Sequence, residues 1–286
     1  MRLGSTDLDL TRRIAVMAVV NRTPDSFYDA GATRRLGAAL DHAARQVEAG
    51  ADIVDVGGVR AGPGAPVGIE EELDRVVPFV EAFVTRHDTP VSVDTWRAEV
   101  ARAAVSAGAT LVNDVTGLHE PEIAEVVADH PDVGLVLTFH GGPPRSRPWR
   151  PDFDPDVVTA ALQRCADLIA VTVDRGVAPG QLVIDPGHDM GKTTMQSLAL
   201  LRHLDNLAAL GHPVLVALSN KDFVGEAVGL ALDRRGSASL AAAVLAVDRG
   251  ARIVRVHDAA AAVPAMRMVE VTFGWRAPAT LLRGLD

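Results

Sequence analysis

Polar side chains recur at one kind of place in this sequence, the end of a short and continuously apolar run. Asn21 follows residues 15–20, Asp94 follows 90–93, Asn113 follows 110–112 and Asp185 follows 181–184. Ser219 and Lys221 stand just beyond 214–218, and Arg255 and His257 close the run 252–256. Asp55, Asp114, Thr138 and His140 fall at equivalent places. A carboxylate facing an N–H and an exocyclic NH₂ makes a paired, charge-assisted contact, so Asp94, Asn113 and Asp185 suit one edge of a flat heterocycle carrying an amide and an amino group. Lys221 suits that ring's carbonyl. Arg255 and His257, two residues apart, project to one side of a strand and suit an anion, and Asn21 suits the anion or a metal attached to it. Capping of a following helix is the competing reading for Asp55 and Asp114.

Two other chemistries use such residues. Three histidines, His140, His188 and His257, suggest a metal-dependent hydrolase, but Asn21-Arg22-Thr23 stands where a His-x-His pair would be expected. A Schiff-base aldolase would employ Lys221, and it leaves the carboxylate–amide set unexplained. Lys221 has a further distinction. It and Lys192 are the only lysines among 28 basic residues, so a compact, rotatable ammonium stands at only two positions.

The elements that must carry these groups alternate regularly. Strand runs are expected at 15–20, 52–56, 90–93, 110–112, 134–137, 181–184, 214–218 and 252–256. They are continuously apolar rather than alternating, as strands of a parallel sheet covered on both faces are. Helical spacing fills 37–49, 69–86, 97–107, 121–129, 156–175, 195–210, 237–249 and 259–273. Glycines at 50, 108 and 250 follow helix ends and suit the left-handed cap before the next strand. Eight strand–helix units in 286 residues predict a single α/β domain over 1–286, a closed (β/α)₈ TIM barrel, with a doubly wound open sheet as the competitor. In such a barrel the chemistry sits at the carboxyl ends of the strands, where the polar ring lies.

Composition narrows the partners. Hydrophobic residues make up 48% and aromatics 4%, so aliphatic side chains must fill the core. The net charge of −9 argues against a nucleic-acid backbone binder, which needs a basic face. One cysteine, Cys165, permits neither an intrachain disulfide nor a cysteine metal cluster. No apolar run reaches membrane-spanning length and the amino terminus carries no apolar signal region, so no membrane partner is expected and the cytoplasm is the expected compartment.

As an ordered set, the motifs resemble those of dihydropteroate synthases. They are Asn21-Arg22-Thr23-Pro24-Asp25-Ser26-Phe27-Tyr28-Asp29, Asp55-Val56-Gly57-Gly58 with Pro63-Gly64-Ala65, Ser92-Val93-Asp94-Thr95, Val112-Asn113-Asp114, Asp185-Pro186-Gly187 with Gly191-Lys192, Ser219-Asn220-Lys221 and Arg255-Val256-His257-Asp258. The resemblance runs from about residue 14 to residue 270. It implies condensation of 4-aminobenzoate with a hydroxymethyl-dihydropterin diphosphate, with diphosphate released to magnesium. It implies a pterin pocket of Asp94, Asn113, Asp185 and Lys221. Asn21, Arg255 and His257 would face the diphosphate and its Mg²⁺, and Lys192 and Ser219 would belong to the 4-aminobenzoate side. Asp94, Lys221 and Arg255 are the implied catalytic residues, Asp94 stabilising a cationic pterin methylene. The resemblance further implies a homodimer through later helices of the barrel.

This chain also departs from the family. The synthase loop Glu-Ser-Thr-Arg-Pro-Gly is here Val59-Arg60-Ala61-Gly62-Pro63-Gly64, which puts Ala61 and Gly62 at the threonine and arginine. Met-His-Met becomes Thr138-Phe139-His140, and Gly-Phe-Gly-Phe-Gly-Lys becomes Gly187-His188-Asp189-Met190-Gly191-Lys192. Ser-Arg-Lys becomes Ser219-Asn220-Lys221. The changes fall on the diphosphate and 4-aminobenzoate side, and the pterin residues are kept. That pattern resembles the divergent second synthase copy of actinobacteria, and implies a pterin binder with weak or no synthase activity. An active synthase with rebuilt loops is the alternative. Methyltetrahydrofolate-binding methyltransferases share the Asp-Asn-Asp set, but the Thr23-Pro24-Asp25-Ser26-Phe27 loop and the Arg255/His257 pair argue against them.

Overall fold

The computed structural model describes residues 1–23, 35–142, 145 and 152–283; most of the 21–29 motif therefore lies outside the described residues. A hairpin of β1 (Arg2–Leu3) and β2 (Thr6–Asp7) precedes eight parallel strands. These are β3 (Ala15–Asn21), β4 (Ile53–Gly57), β5 (Val91–Asp94), β6 (Leu111–Asp114), β7 (Gly134–Thr138), β8 (Leu182–Asp185), β9 (Val214–Val216) and β10 (Ala251–Val256). Each pairs with its sequence neighbour and β10 pairs back onto β3, so the sheet closes into a barrel and the open-sheet alternative is excluded.

The covering helices are α1 (Leu36–Glu48), α2 (Ile69–Val84), α3 (Ala98–Ser106), α4 (Glu122–Ala128), α5 (Val157–Asp174), α6 (Thr194–Arg202), α7 (Leu204–Ala208), α8 (Asp222–Val228), α9 (Gly236–Asp248) and α10 (Ala259–Thr272). The helix expected over 195–210 is broken at His203, whose φ of −114° and ψ of 30° interrupt it between α6 and α7. The short α8 and the hairpin were not anticipated. Local chemistry sets several helix starts: Asp156 accepts from the amides of Val158 and Thr159 at the head of α5. Thr193 and Gln196 form a reciprocal box at α6.

Two apolar layers surround the strands and a third fills the barrel. The inner one comprises Met17, Ile53, Leu111, Val136, Val183, Leu215 and Ile253, with Leu3, Leu8 and Leu10 of the hairpin segment packed into the same cluster. Each such leucine contributes about 1.5–3 kcal/mol on burial.

Candidate functional site

Successive side chains on a strand face opposite ways, so the residue two places beyond an inward apolar one also faces inward. Ile53 is thus followed by Asp55, Leu111 by Asn113, Val183 by Asp185 and Ile253 by Arg255. The same inward face turns from aliphatic to polar as each strand approaches its carboxyl end.

Arg255 organises this upper layer. Its Nε donates to Asp55 Oδ2 at 2.6 Å and its Nη2 to Asp94 Oδ2 at 2.8 Å. Asn113 Nδ2 donates to the same Asp55 oxygen at 3.3 Å. Asp55 is fully buried and caps no helix, so it belongs to the site and not to the capping residues. Asp114 does hold backbone, its carboxylate accepting from the amides of Thr116 and Leu118. Burial pushes the Asp94 carboxyl up to about 7, more than Arg255 pulls it down, and Asp55 and Glu72 add to the rise. Glu72, unanticipated from sequence, is buried behind the β4 loop, where it accepts from Thr95 Oγ1 and Arg97 Nη1, both at 2.6 Å. Asp185 is buried too, and burial raises its carboxyl against the opposing influences of the Gly187 amide, Lys221, Lys192 and Arg255. Asn113 Oδ1, Asp55 Oδ1 and Thr138 Oγ1 are buried with no hydrogen-bond partner among the described residues.

Above this floor a cleft is lined by Asn21, Asp94, Ser219, Lys221, Arg255 and His257, together with Arg60, Ala61, Gly62 and Met190. Most of the anticipated ring thus meets in one place, and Ala61 and Gly62, the departing residues of the loop after β4, stand in its wall. His257 Nδ1 lies 3.0 Å from Ser219 Oγ, which ties the ends of β9 and β10 together. A larger cavity of about 840 Å³ lies outside the barrel between α9 and α10 and meets the mouth at Ser219, Asn220 and His257. Its walls are mostly aliphatic, and the charged groups converge on the smaller cleft.

Lys192, expected among the loops of the second-substrate side, lies between the loop after β7 and the loop after β8. Its ammonium donates to the carbonyls of Phe139 at 2.5 Å, Gly187 at 3.0 Å and Met190 at 3.1 Å, and lies 4.0 Å from the centre of the Phe139 ring. Burial lowers it to about 7. It fastens the loop after β7 to the loop after β8. These loops touch so closely that a Cβ on Gly187, whose φ is +64°, would lie 2.3 Å from Phe139 O.

The rebuilt part of the loop after β8 has its own geometry. His188 is buried, stacked at 5.6 Å on Phe223, and neither ring nitrogen has a hydrogen-bond partner among the described residues; burial, then Lys192 and Lys221, lowers it to about 3. Asp189, with φ of +65°, accepts from the amides of Asp222 at 2.6 Å and Phe223 at 3.2 Å, the first residues of α8. His140 accepts from Gly142 N at 3.1 Å through Nδ1, so two of the three histidines are placed by packing or turn geometry. Among the described residues no group of three or more His, Cys, Asp or Glu is placed to hold a metal.

The barrel thus gathers buried carboxylates, an amide, an arginine and a histidine at the carboxyl ends of its strands. Residues 17–257 match the family model for pterin binding enzymes, and the chain belongs to that family. It is 47% identical over 278 residues to inactive dihydropteroate synthase 2 of Mycobacterium tuberculosis, covering 96% of this chain and 87% of that one. Identity to the dihydropteroate synthase of Escherichia coli is 39% over 268 residues, covering 93% and 94%. The Yersinia pestis dihydropteroate synthase solved as a sulfonamide drug complex superposes with a TM-score of 0.91 at 39% identity, over 96% of this chain and 99% of that one. The Xanthomonas albilineans enzyme in complex with 7,8-dihydropteroate gives 0.84 at 40% identity, over the same shares.

Proposed function

We propose that this protein binds a pterin at the mouth of its barrel and condenses pterin diphosphate with 4-aminobenzoate weakly or not at all. The observation that carries the reading is the acceptor-rich floor. Asn113 Oδ1 and Asp55 Oδ1 are buried without partners among the described residues, beside Asp94 and Asp185, and buried acceptors of that kind call for donors. A pterin edge offers an amide N–H and an amino group to Asp94, Asn113 and Asp185, with Lys221 for the ring carbonyl. Asn21 and His257, with Arg255 through its remaining Nη1, are the residues for a diphosphate. A magnesium ion suits that place, since one neutral amide oxygen from Asn21 and phosphate oxygens form an all-oxygen set. Ser219 stands on the second-substrate side; Lys192 serves there by holding its loops together.

Titration of hydroxymethylpterin into the parent and Asp185→Asn tests the reading. An amide puts an NH₂ against one ligand donor, so the variant should bind weaker by about 1.5–3 kcal/mol, tenfold or more. Equal affinity in a folded variant would remove Asp185 from the site. A second reading, a working synthase with rebuilt loops, is favoured by Arg60, which shares the cleft wall with Ala61 and Gly62 and supplies a cation there.

The wider assignments follow the same reading. A homodimer is supported by the outer faces of α9 and α10. They expose Leu245 (57%) and Met268 (64%), and α9 carries no charge before Asp248. No described helix is long and apolar enough to cross a membrane. The cytoplasm is the compartment we assign by likeness to the synthases.

A further inference from the structure

The loop after β4 is held by arginines from three other parts of the chain. Arg75 of α2 donates through Nη1 to Gly58 O at 2.6 Å and pairs through Nη2 with Glu71, one turn earlier. Arg145, beyond β7, donates through Nε to Gly62 O at 3.3 Å and through Nη1 to Ala65 O at 2.9 Å. Arg97, ahead of α3, donates through Nη2 to Val67 O at 2.7 Å, and its charge is met by Glu72. A neutral donor could make the same bonds to carbonyls, so holding the loop does not use the charge of Arg145.

Arg60, Arg75 and Arg145 line one cavity of about 280 Å³, with Pro66 and Val67 as part of its apolar wall. It is a different cavity from the mouth cleft and shares only Arg60 with it. Glu71 is the one carboxylate among its described lining residues and points largely to solvent, so three guanidiniums face a single, weakly held countercharge. Arg60 makes no hydrogen bond or ion pair among the described residues, and neither does Arg145 Nη2. The excess reaches Arg22, just beyond β3, whose guanidinium is lowered by burial and then by Arg75. Such a concentration of positive charge stands out in a chain of net charge −9. The volume falls slightly below the roughly 300–1,000 Å³ of pockets that take drug-sized molecules, so a small occupant fits it. The planar fork of a guanidinium matches two oxygens of a phosphate, and donors remain on all three arginines.

We propose that this cavity is a second anion site, apart from the mouth, that takes a small phosphate-type oxyanion between Arg60, Arg75 and Arg145. The inference does not depend on the pterin reading. Its occupant would brace the loop whose Ala61 and Gly62 line the cleft, because Arg75 and Arg145 would hold the anion and that loop together. The test is calorimetric titration of inorganic phosphate and of inorganic diphosphate, without metal, into His257→Ala, which weakens any anion binding in the mouth. Arg145→Gln and Glu71→Gln are then added to that background. Losing one of three guanidiniums should weaken binding about tenfold. Removing the opposing carboxylate should tighten it about threefold, and that exposed pair contributes little to the fold. Tighter binding of diphosphate would name the ion released by the proposed condensation as the source, and tighter binding of phosphate would name free phosphate. The gain in Glu71→Gln decides the matter even if Arg145→Gln does not fold, since a merely structural arginine cluster predicts no gain. Absence of binding in the millimolar range by the His257→Ala protein overturns the proposal, as does equal affinity with and without Glu71→Gln.

Discussion

Replacing Arg255 by methionine removes a cation shared by two buried carboxylates while keeping an unbranched apolar stem. The Asp55 side chain is 0% exposed and that of Asp94 8%, so solvent cannot replace the guanidinium. Removing one partner of a buried ion pair typically costs about 3–5 kcal/mol, because the other charge is left uncompensated. Unfolding entropy of about 2.1 cal/mol/K per residue, over 286 residues, turns that into a fall in Tm of about 5–8 °C. The loss should also depend on pH. The folded Asp94 carboxyl lies at about 7, above its ordinary 3.8. Its contribution to stability is therefore complete below the unfolded value and is lost as pH rises through about 7. Arg255 is the largest influence holding that carboxyl down, so without it Asp94 titrates higher still. At pH 5 Asp94 is protonated in both folded proteins and only Asp55 loses its partner; at pH 8 the variant carries a penalty the parent partly offsets. Urea unfolding at both pH values, followed by far-UV circular dichroism, measures the two deficits. Equal deficits, or a loss under about 1 kcal/mol at pH 8, would refute the shared-cation argument.

Two other perturbations probe the rebuilt loops. Condensation of pterin diphosphate with 4-aminobenzoate by the parent should be at least ~100-fold slower than by a synthase retaining Thr-Arg in the second loop, since losing one transition-state donor typically costs ~10²–10³ in rate; ordinary turnover beside the Ala61→Thr/Gly62→Arg variant would promote the working-synthase reading. His188→Phe should stabilise the fold by about 1–2 kcal/mol at pH 7, because two buried nitrogens without partners disappear. The gain should grow toward acid. With its folded value lowered to about 3, His188 supplies stability that is present above its ordinary 6.5 and lost as pH falls. Parallel stability profiles for parent and variant between pH 7 and 4 would show that the ring does not titrate as its burial requires.

The barrel was readable in the sequence because each strand is covered on both faces and leaves a continuous apolar run, and because the two-residue repeat projects the polar ring from the same faces. What escaped was set by distance or brevity. Asp55 looked like a helix cap because its partner Arg255 lies 200 residues away. The three carbonyls that converge on Lys192 from two loops were not announced by anything local in the sequence. The hairpin strands are two residues each and α8 is seven, too short for a periodic signal. The break at His203 interrupts a helix pattern that hydrophobic spacing alone carries through. Asp189 was visible as a departure from glycine, but its grip on α8 needed the fold.

The leucines ahead of β3 have a bearing on how the chain is made. Leu3, Leu8 and Leu10 leave the ribosome before any barrel strand, yet the cluster that receives them is contributed by strands as late as β10. Until Ile253 is in place their seat is incomplete, so the growing polypeptide carries three unsheltered leucines while the strands from β3 to β9 are made. A stalled or truncated product lacking β10 would expose the base of the barrel and its own amino-terminal leucines together, a combination well suited to capture by chaperones.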